Sequence, residues 1–203
     1  MKLDKRILIS IILFHTFIIG LSNYLITMPV TILGFALTWA AFSFPLIVVA
    51  TDLTVRLLNK QIARKIINIA FIPAIIISII VIYLTGNDIS IALRVGIASG
   101  CSYLASNLLD VYVFQKVREK FSQWWAAPFG SSIMANLIDT FTFFTIAFYR
   151  SSNVFMREHW TQIAFNQTGT KIIISWLVIL PIYGLLLKYL SKKLGRDIAG
   201  KVV

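Results

Sequence analysis

The stretch Ile62–Leu84, IARKIINIAFIPAIIISIIVIYL, decides the class of fold. Beyond Lys65 it carries no charged side chain, and as a helix rising about 1.5 Å per residue it crosses the roughly 30 Å hydrocarbon core of a bilayer. Five further apolar stretches flank it, Ile7–Thr27, Ile32–Leu53, Ile89–Phe114, Pro128–Tyr149 and Ile172–Leu190. Together they use most of the 203 residues and leave short connections. The expectation is an all-α integral membrane protein, one transmembrane domain over residues 1–203 with six spans. No room remains for a soluble catalytic, nucleotide-binding or receptor domain. The composition agrees, with 58% hydrophobic and 13% charged residues against about 45–50% and 25% in soluble domains.

Cations settle the expected orientation, because loops facing the cytoplasm are enriched in Lys and Arg. One side holds fifteen: Lys2, Lys5, Arg6, Arg56, Lys60, Arg64, Lys65, Lys116, Arg118, Lys120, Lys188, Lys192, Lys193, Arg196 and Lys201. The other holds four, Arg94, Arg150, Arg157 and Lys171. Both termini are therefore expected in the cytoplasm, and the net charge of +11 is explained without a nucleic-acid partner. The basic start resembles a signal peptide, but its apolar run is too long and no clear cleavage site follows, so the first span reads as retained. Met28–Thr31 is uncharged and predicts a tight hairpin between the first two helices. The longest connection, roughly Arg150 to Thr170, carries Phe155, Trp160 and Phe165, which suit a segment lying along the membrane interface.

Within spans, ionisable side chains are costly, about 2.5–3.5 kcal/mol each at a helix centre, so they are functional candidates by default. Asp52, Arg94, Asp110, Asp139 and His15 are such residues, and Asn23, Asn107 and Asn136 add amides. Two acids lie in near-copies of one motif, Asn107–Leu108–Leu109–Asp110 and Asn136–Leu137–Ile138–Asp139. Three-residue spacing puts amide and carboxylate on one helical face, available to the same neighbour or ligand. The spacings Asp52 to Asp110 and Asp110 to Asp139 stand two to one, which invites an internal-repeat reading. Asp52 and Asp110 also fit contact with interfacial water or with Arg56, whereas Asp139 is the most central acid. Arg94 reads either as snorkelling to the outer interface or as the counter-ion of an acid. His15 reads as a core histidine, and Ala92, Gly96 and Gly100 form a small-residue stripe for close helix packing. Pro45, Pro73 and Pro181 fall inside spans, where each removes a helical bond.

Missing motifs narrow the class. There is no phosphate-binding Gly-x-x-x-x-Gly-Lys-Ser/Thr loop, no His-Glu-x-x-His zinc site and no Gly-x-Ser-x-Gly elbow, and a lone Cys101 excludes an internal disulfide or a multi-thiolate metal site. Neither an enzyme nor a cofactor is expected. Abundant aromatics beside the Asn–Asp pairs would suit a planar heterocycle, stacked on its faces and read along its edge.

Ser22–Asn23–Tyr24–Leu25, the stretch Gly34 to Arg56 with Trp39, Ala40, Phe42, Ser43, Phe44, Pro45 and Ala50–Thr51–Asp52–Leu53–Thr54, the segment Asp110–Phe114, Trp124–Trp125, Asn136–Asp139 and Phe155–Trp160 together resemble the queuosine-precursor transporter family of bacteria, also called the VUT family. The resemblance implies import of 7-cyano-7-deazaguanine, and of its aminomethyl relative, across the inner membrane to supply tRNA modification. It also implies substrate-binding roles for Asn23, Asp52, Asp110, Asn136 and Asp139, with Trp39 and Trp125 as stacking partners; Asn107 joins them through its motif. A distant relation to binding subunits of energy-coupling vitamin importers supplies the alternative, dependence on an external ATPase, and a channel is the third reading. The expected partners are the deazapurine, the lipid bilayer and, left open, further copies of the chain.

Overall fold

The computed structural model describes residues 5–32, 35–43 and 45–194. Lys2, Arg196 and Lys201 of the cation count, and Gly34 and Phe44 of the resemblance, lie outside them. The described chain forms α1 (Lys5–Ile26), strands β1 (Pro29–Ile32) and β2 (Phe35–Thr38), α2 (Ala40–Ser43), α3 (Pro45–Leu57), α4 (Lys60–Leu84), α5 (Ile89–Lys120), α6 (Ala126–Phe148), α7 (Val154–Ile174), a π-helical turn (Ser175–Ile179) and α8 (Leu180–Leu194). Six segments are long and apolar enough to cross a membrane: Leu8–Ile26, Ala40–Leu57, Lys60–Leu84, Ile89–Lys120, Ala126–Phe148 and Val154–Tyr189. Large apolar side chains such as Leu13, Phe17, Ile72, Leu177 and Leu185 stand exposed on their outer faces, as hydrocarbon contact requires.

Helix α5 is the axis of the bundle, with α4 packed on one flank and α6 on the other. The small-residue stripe explains the first contact. A Cβ on Gly96 would overlap the Ile79 side chain and lie 3.1 Å from the Ile79 backbone nitrogen, and one on Gly100 would overlap Ile75. Only hydrogen at these positions lets α4 and α5 approach so closely. Helix α1 packs on α4, α7 on α6, and α3 is inserted against α4, α5 and α6. The central core is built from Ile18, Ile47, Ile67, Ala70, Tyr103 and Phe114 with their neighbours.

Three expectations are corrected. The connection after α1 is not a bare turn between helices but a two-stranded antiparallel ribbon, Pro29 opposite Thr38 and Val30 opposite Leu37. Pro29 lacks the N–H a helix would need, and the β-branched run Val30–Thr31–Ile32 favours extended backbone. The second span accordingly starts at Ala40 rather than Ile32. The polar segment before the last span is not a separate interfacial piece. Asn153 caps it, accepting from the Met156 N–H at 3.0 Å, and α7 runs from Val154 directly into the last span. One face of α7 turns Ala164, Gln167, Thr168 and Lys171 into the bundle, while Arg157, Glu158, His159 and Gln162 stay exposed. Pro45, finally, is the first residue of α3, where no helical bond is lost. Pro181 does act as expected: without an N–H it cannot serve the carbonyl of Leu177, and the π turn lies around that carbonyl.

Candidate functional site

The bundle has two ends. At one lie the ribbon, the α4–α5 connection and the α6–α7 connection; at the other lie the α3–α4 and α5–α6 connections and most of the described cations. A vestibule of about 800 Å³ opens at the ribbon end, with Asn87, Arg94, Asn153, His159 and Asn166 in its wall. Ile26, Phe143 and Phe144 line its inner limit and also line a second, smaller chamber of about 60 Å³. The two spaces are consecutive, with these three apolar side chains between them.

The chamber collects polar groups from four helices: Asn23 of α1, Ser99 and Ser102 of α5, Asp139 of α6, and Gln167 and Lys171 of α7. Lys171 Nζ donates to Asp139 Oδ2 at 2.8 Å and to Thr140 Oγ1 at 3.2 Å, with both partners of the ion pair less than a tenth exposed. Burial strengthens this attraction while charging the desolvation cost of two ions, so the pair persists only because each ion has a partner. Asn23 donates to Ile19 O at 2.9 Å and Ser78 Oγ at 2.8 Å and accepts from Ser99 Oγ at 2.7 Å, which ties α1, α4 and α5 together at the chamber wall. Gln167 Nε2 donates to Thr38 Oγ1 at 3.0 Å and holds the ribbon on α7.

The remaining sequence candidates lie outside the residues lining this chamber. Asn107 accepts from Thr51 Oγ1 at 3.0 Å and donates to Tyr103 O at 2.8 Å, so it joins α5 to α3. Asn136 donates to Ser132 O at 2.8 Å and Ser175 Oγ at 3.1 Å, which joins α6 to the π turn. Asp52 and Asp110 face one another across the α3–α5 contact, with the Ser131 hydroxyl of α6 beside both. Trp39 and Trp125 are exposed, the first tilted on Phe42 and the second edge-on to Phe129. His15 Nδ1 lies 2.9 Å from the Tyr103 hydroxyl, as a core histidine should.

Arg94 has no acid partner among the described ion pairs. Its Nε donates to Ile146 O at 2.9 Å and its Nη2 to Tyr149 O, so it caps the carbonyls at the end of α6. The sequence pattern alone does not single out Gln167 or Lys171, the latter standing among the outer-side cations just before the last span. Their signal is the four-residue spacing Gln167, Lys171, Ser175, which marks one face of a helix entering the span.

A membrane bundle enclosing a chamber of paired charge and amides, reached through a vestibule, is built as a small-molecule transporter. Residues 38–186 match the family described as "Putative vitamin uptake transporter". The "Queuosine precursor transporter" of Escherichia coli (strain K12) is 43% identical over 195 residues, covering 90% of this chain and 87% of that protein. The "Probable queuosine precursor transporter" of Haemophilus influenzae is 38% identical over 222 residues, covering 98% and 94%. The chain belongs to this queuosine-precursor transporter family, a family of multi-pass bacterial inner-membrane transporters and not of enzymes. No solved structure matches it.

Proposed function

We propose that the chain imports queuosine precursors, 7-cyano-7-deazaguanine and 7-aminomethyl-7-deazaguanine, and that the Asp139–Lys171 chamber recognises them. Two homologues carrying that transporter name over most of their length support the class of substrate. The observation that carries the site is the ion pair itself, buried beside the amides of Asn23 and Gln167 and under Phe143 and Phe144. A deazaguanine offers ring N–H and amino donors along one edge, which a carboxylate accepts in a bidentate pair, and a carbonyl that an ammonium donates to. The two phenylalanines supply a face for the flat ring.

The chamber is smaller than the few hundred Å³ typical of ligand sites, whereas the vestibule is large enough. Substrate first enters the vestibule, and displacement of Ile26, Phe143 and Phe144 enlarges the chamber to admit it. With the cation-rich end in the cytoplasm, the vestibule faces outward and this conformation is the one that loads from outside.

The test is complementation. A strain unable to make deazaguanines but able to complete the pathway regains queuosine in its tRNA when given external precursor and this gene alone. Rescue that requires a separate ATPase favours a binding subunit, and ion flux without rescue favours a channel.

A further inference from the structure

Below the chamber lies a second polar cluster, whose acids do not line it. Asp52 and Asp110 are completely buried, and none of their four carboxylate oxygens accepts a hydrogen bond among the described residues. Ser131 Oγ, equally buried, is without a partner and sits against both acids. The charged and titratable groups facing them are Arg56 on α3 and Tyr183 on α8, with Arg118 on α5 beside Arg56 and Tyr183. From α6 the facing group is the neutral Ser131; Lys60, Arg64 and Lys65 of α4 are exposed at the same end. Arg56 is itself engaged: its Nη2 donates to Trp124 O at 3.2 Å and its guanidinium lies over the rings of Phe114 and Tyr183, at 5.8 and 5.7 Å. Its Nε and Nη1 have no hydrogen-bond acceptor among the described residues.

Two ionised carboxylates side by side, dry and accepting no hydrogen bond, repel one another and lack the bonds that make buried charge tolerable. A single proton removes both problems, since one acid then donates to the other and the remaining charge is balanced by Arg56. We propose that Asp52 and Asp110 form a proton-binding pair that couples precursor import to the proton gradient, separately from the substrate chamber. The step forms and breaks one O–H bond: water at the open side gives up a proton to the carboxylate pair, and the same proton passes to water at the other side.

The position fits such a coupling. Ser102 and Asp110 on α5, and Asp139 and Ser131 on α6, are each eight residues apart, about 12 Å along a helix, so chamber and pair are linked by the same two rigid elements. Loss of the proton leaves two negative charges beside the free nitrogens of Arg56. Rotation of Arg56 toward them breaks its bond to Trp124, whose ring stacks on Tyr183 at the cation-rich end. The proton thereby sets whether the inner exit is held shut.

This inference rests on the precursor-import reading, and the experiment separates the two. The full chain is purified and reconstituted in liposomes, and labelled 7-cyano-7-deazaguanine is followed both in exchange against internal unlabelled precursor and in net uptake under an outside-acid pH gradient. Exchange by the unaltered chain tests the substrate; its absence overturns that reading and the coupling with it. For one proton per substrate, one pH unit sustains about a tenfold concentration ratio. Asp52→Asn and Asp110→Asn are expected to lose that accumulation while keeping measurable exchange, and Asp110→Glu to recover part of it. A substrate-independent readout accompanies it: infrared titration is expected to show a protonated carboxyl band that Asp110→Asn removes. Undiminished accumulation in the asparagine variants, loss of exchange together with accumulation in folded protein, dependence on a sodium gradient instead of pH, or no protonated carboxyl band would each overturn the proposal.

Discussion

The two Asn-x-x-Asp motifs are nearly identical in sequence and are met by opposite chemistry. In α6, Asn136 and Asp139 both turn toward the α7 side, where the amide meets Ser175 and the carboxylate meets Lys171. In α5, Asn107 and Asp110 both turn toward α3, where the amide meets Thr51 and the carboxylate meets a second acid, Asp52. The amides play the same part in both, fastening one helix to its neighbour. The acids diverge because of what the neighbour brings: a cation neutralises Asp139 within the chamber, and a like group confronts Asp110 beneath it. A motif fixes which face a side chain occupies; the partner helix fixes what that side chain can do.

The contrast is broken most forcefully at Lys171. Lys171→Met leaves the Asp139 carboxylate buried beside an apolar side chain, and breaking a buried pair in this way costs about 3–5 kcal/mol. The variant should unfold at clearly lower temperature in detergent and fail to take up precursor. Combining it with Asp139→Asn should restore much of the stability and none of the uptake. Asp110→Asn removes no salt bridge among the described residues and keeps a neutral hydrogen-bonding group beside Asp52, so its thermal midpoint should move little. Equal destabilisation by Lys171→Met and Asp110→Asn would show that the two acids do not differ as described.

A smaller effect sharpens the substrate side. Asp139→Asn keeps an oxygen that Lys171 can donate to, so the fold is affected less than by loss of the lysine. The amide nitrogen, however, opposes the donors of the deazaguanine edge. Loss of a charge-assisted hydrogen bond is worth about 1.5–3 kcal/mol, which is roughly one to two orders of magnitude in affinity. Equilibrium binding of 7-cyano-7-deazaguanine to the purified variant measures it, and unchanged binding removes Asp139 from the recognition site.

What the sequence made legible follows the range of the forces involved. The six spans were readable because each is a local property, an apolar run that must satisfy its own backbone bonds in hydrocarbon. The ribbon Pro29–Thr38 was not, since a short apolar run supports helix and strand alike. For the site, Asp139 stood out by its depth and Asn23 by the resemblance, but Lys171 reads only as an outer-side cation because the start of α7 looks like a connection until the helix is seen to carry it inward. The partners of Arg94 were hidden for a similar reason: its acceptors, Ile146 O and Tyr149 O, come from a helix end more than fifty residues away. The meeting of Asp52 with Asp110 likewise depends on how α3 is inserted against α5, which composition and spacing alone do not determine.

The smallest expected difference lies between the two amides. Thr51→Val preserves shape but removes the hydroxyl that donates to Asn107 Oδ1, and that buried oxygen is then left without the only side-chain donor it has among the described bonds. Ser175→Ala removes an acceptor from Asn136, whose nitrogen keeps its bond to Ser132 O and whose Oδ1 already lacks a partner. An unsatisfied buried acceptor costs about 1–3 kcal/mol, while one hydrogen bond among others contributes about 0.5–1.5. Thr51→Val should therefore lower the midpoint of thermal unfolding more than Ser175→Ala does. If the order is reversed, the π turn at Ser175 depends on the Asn136 bond more than α3 depends on Asn107, and the α6–α7 contact would be the more tightly fastened of the two.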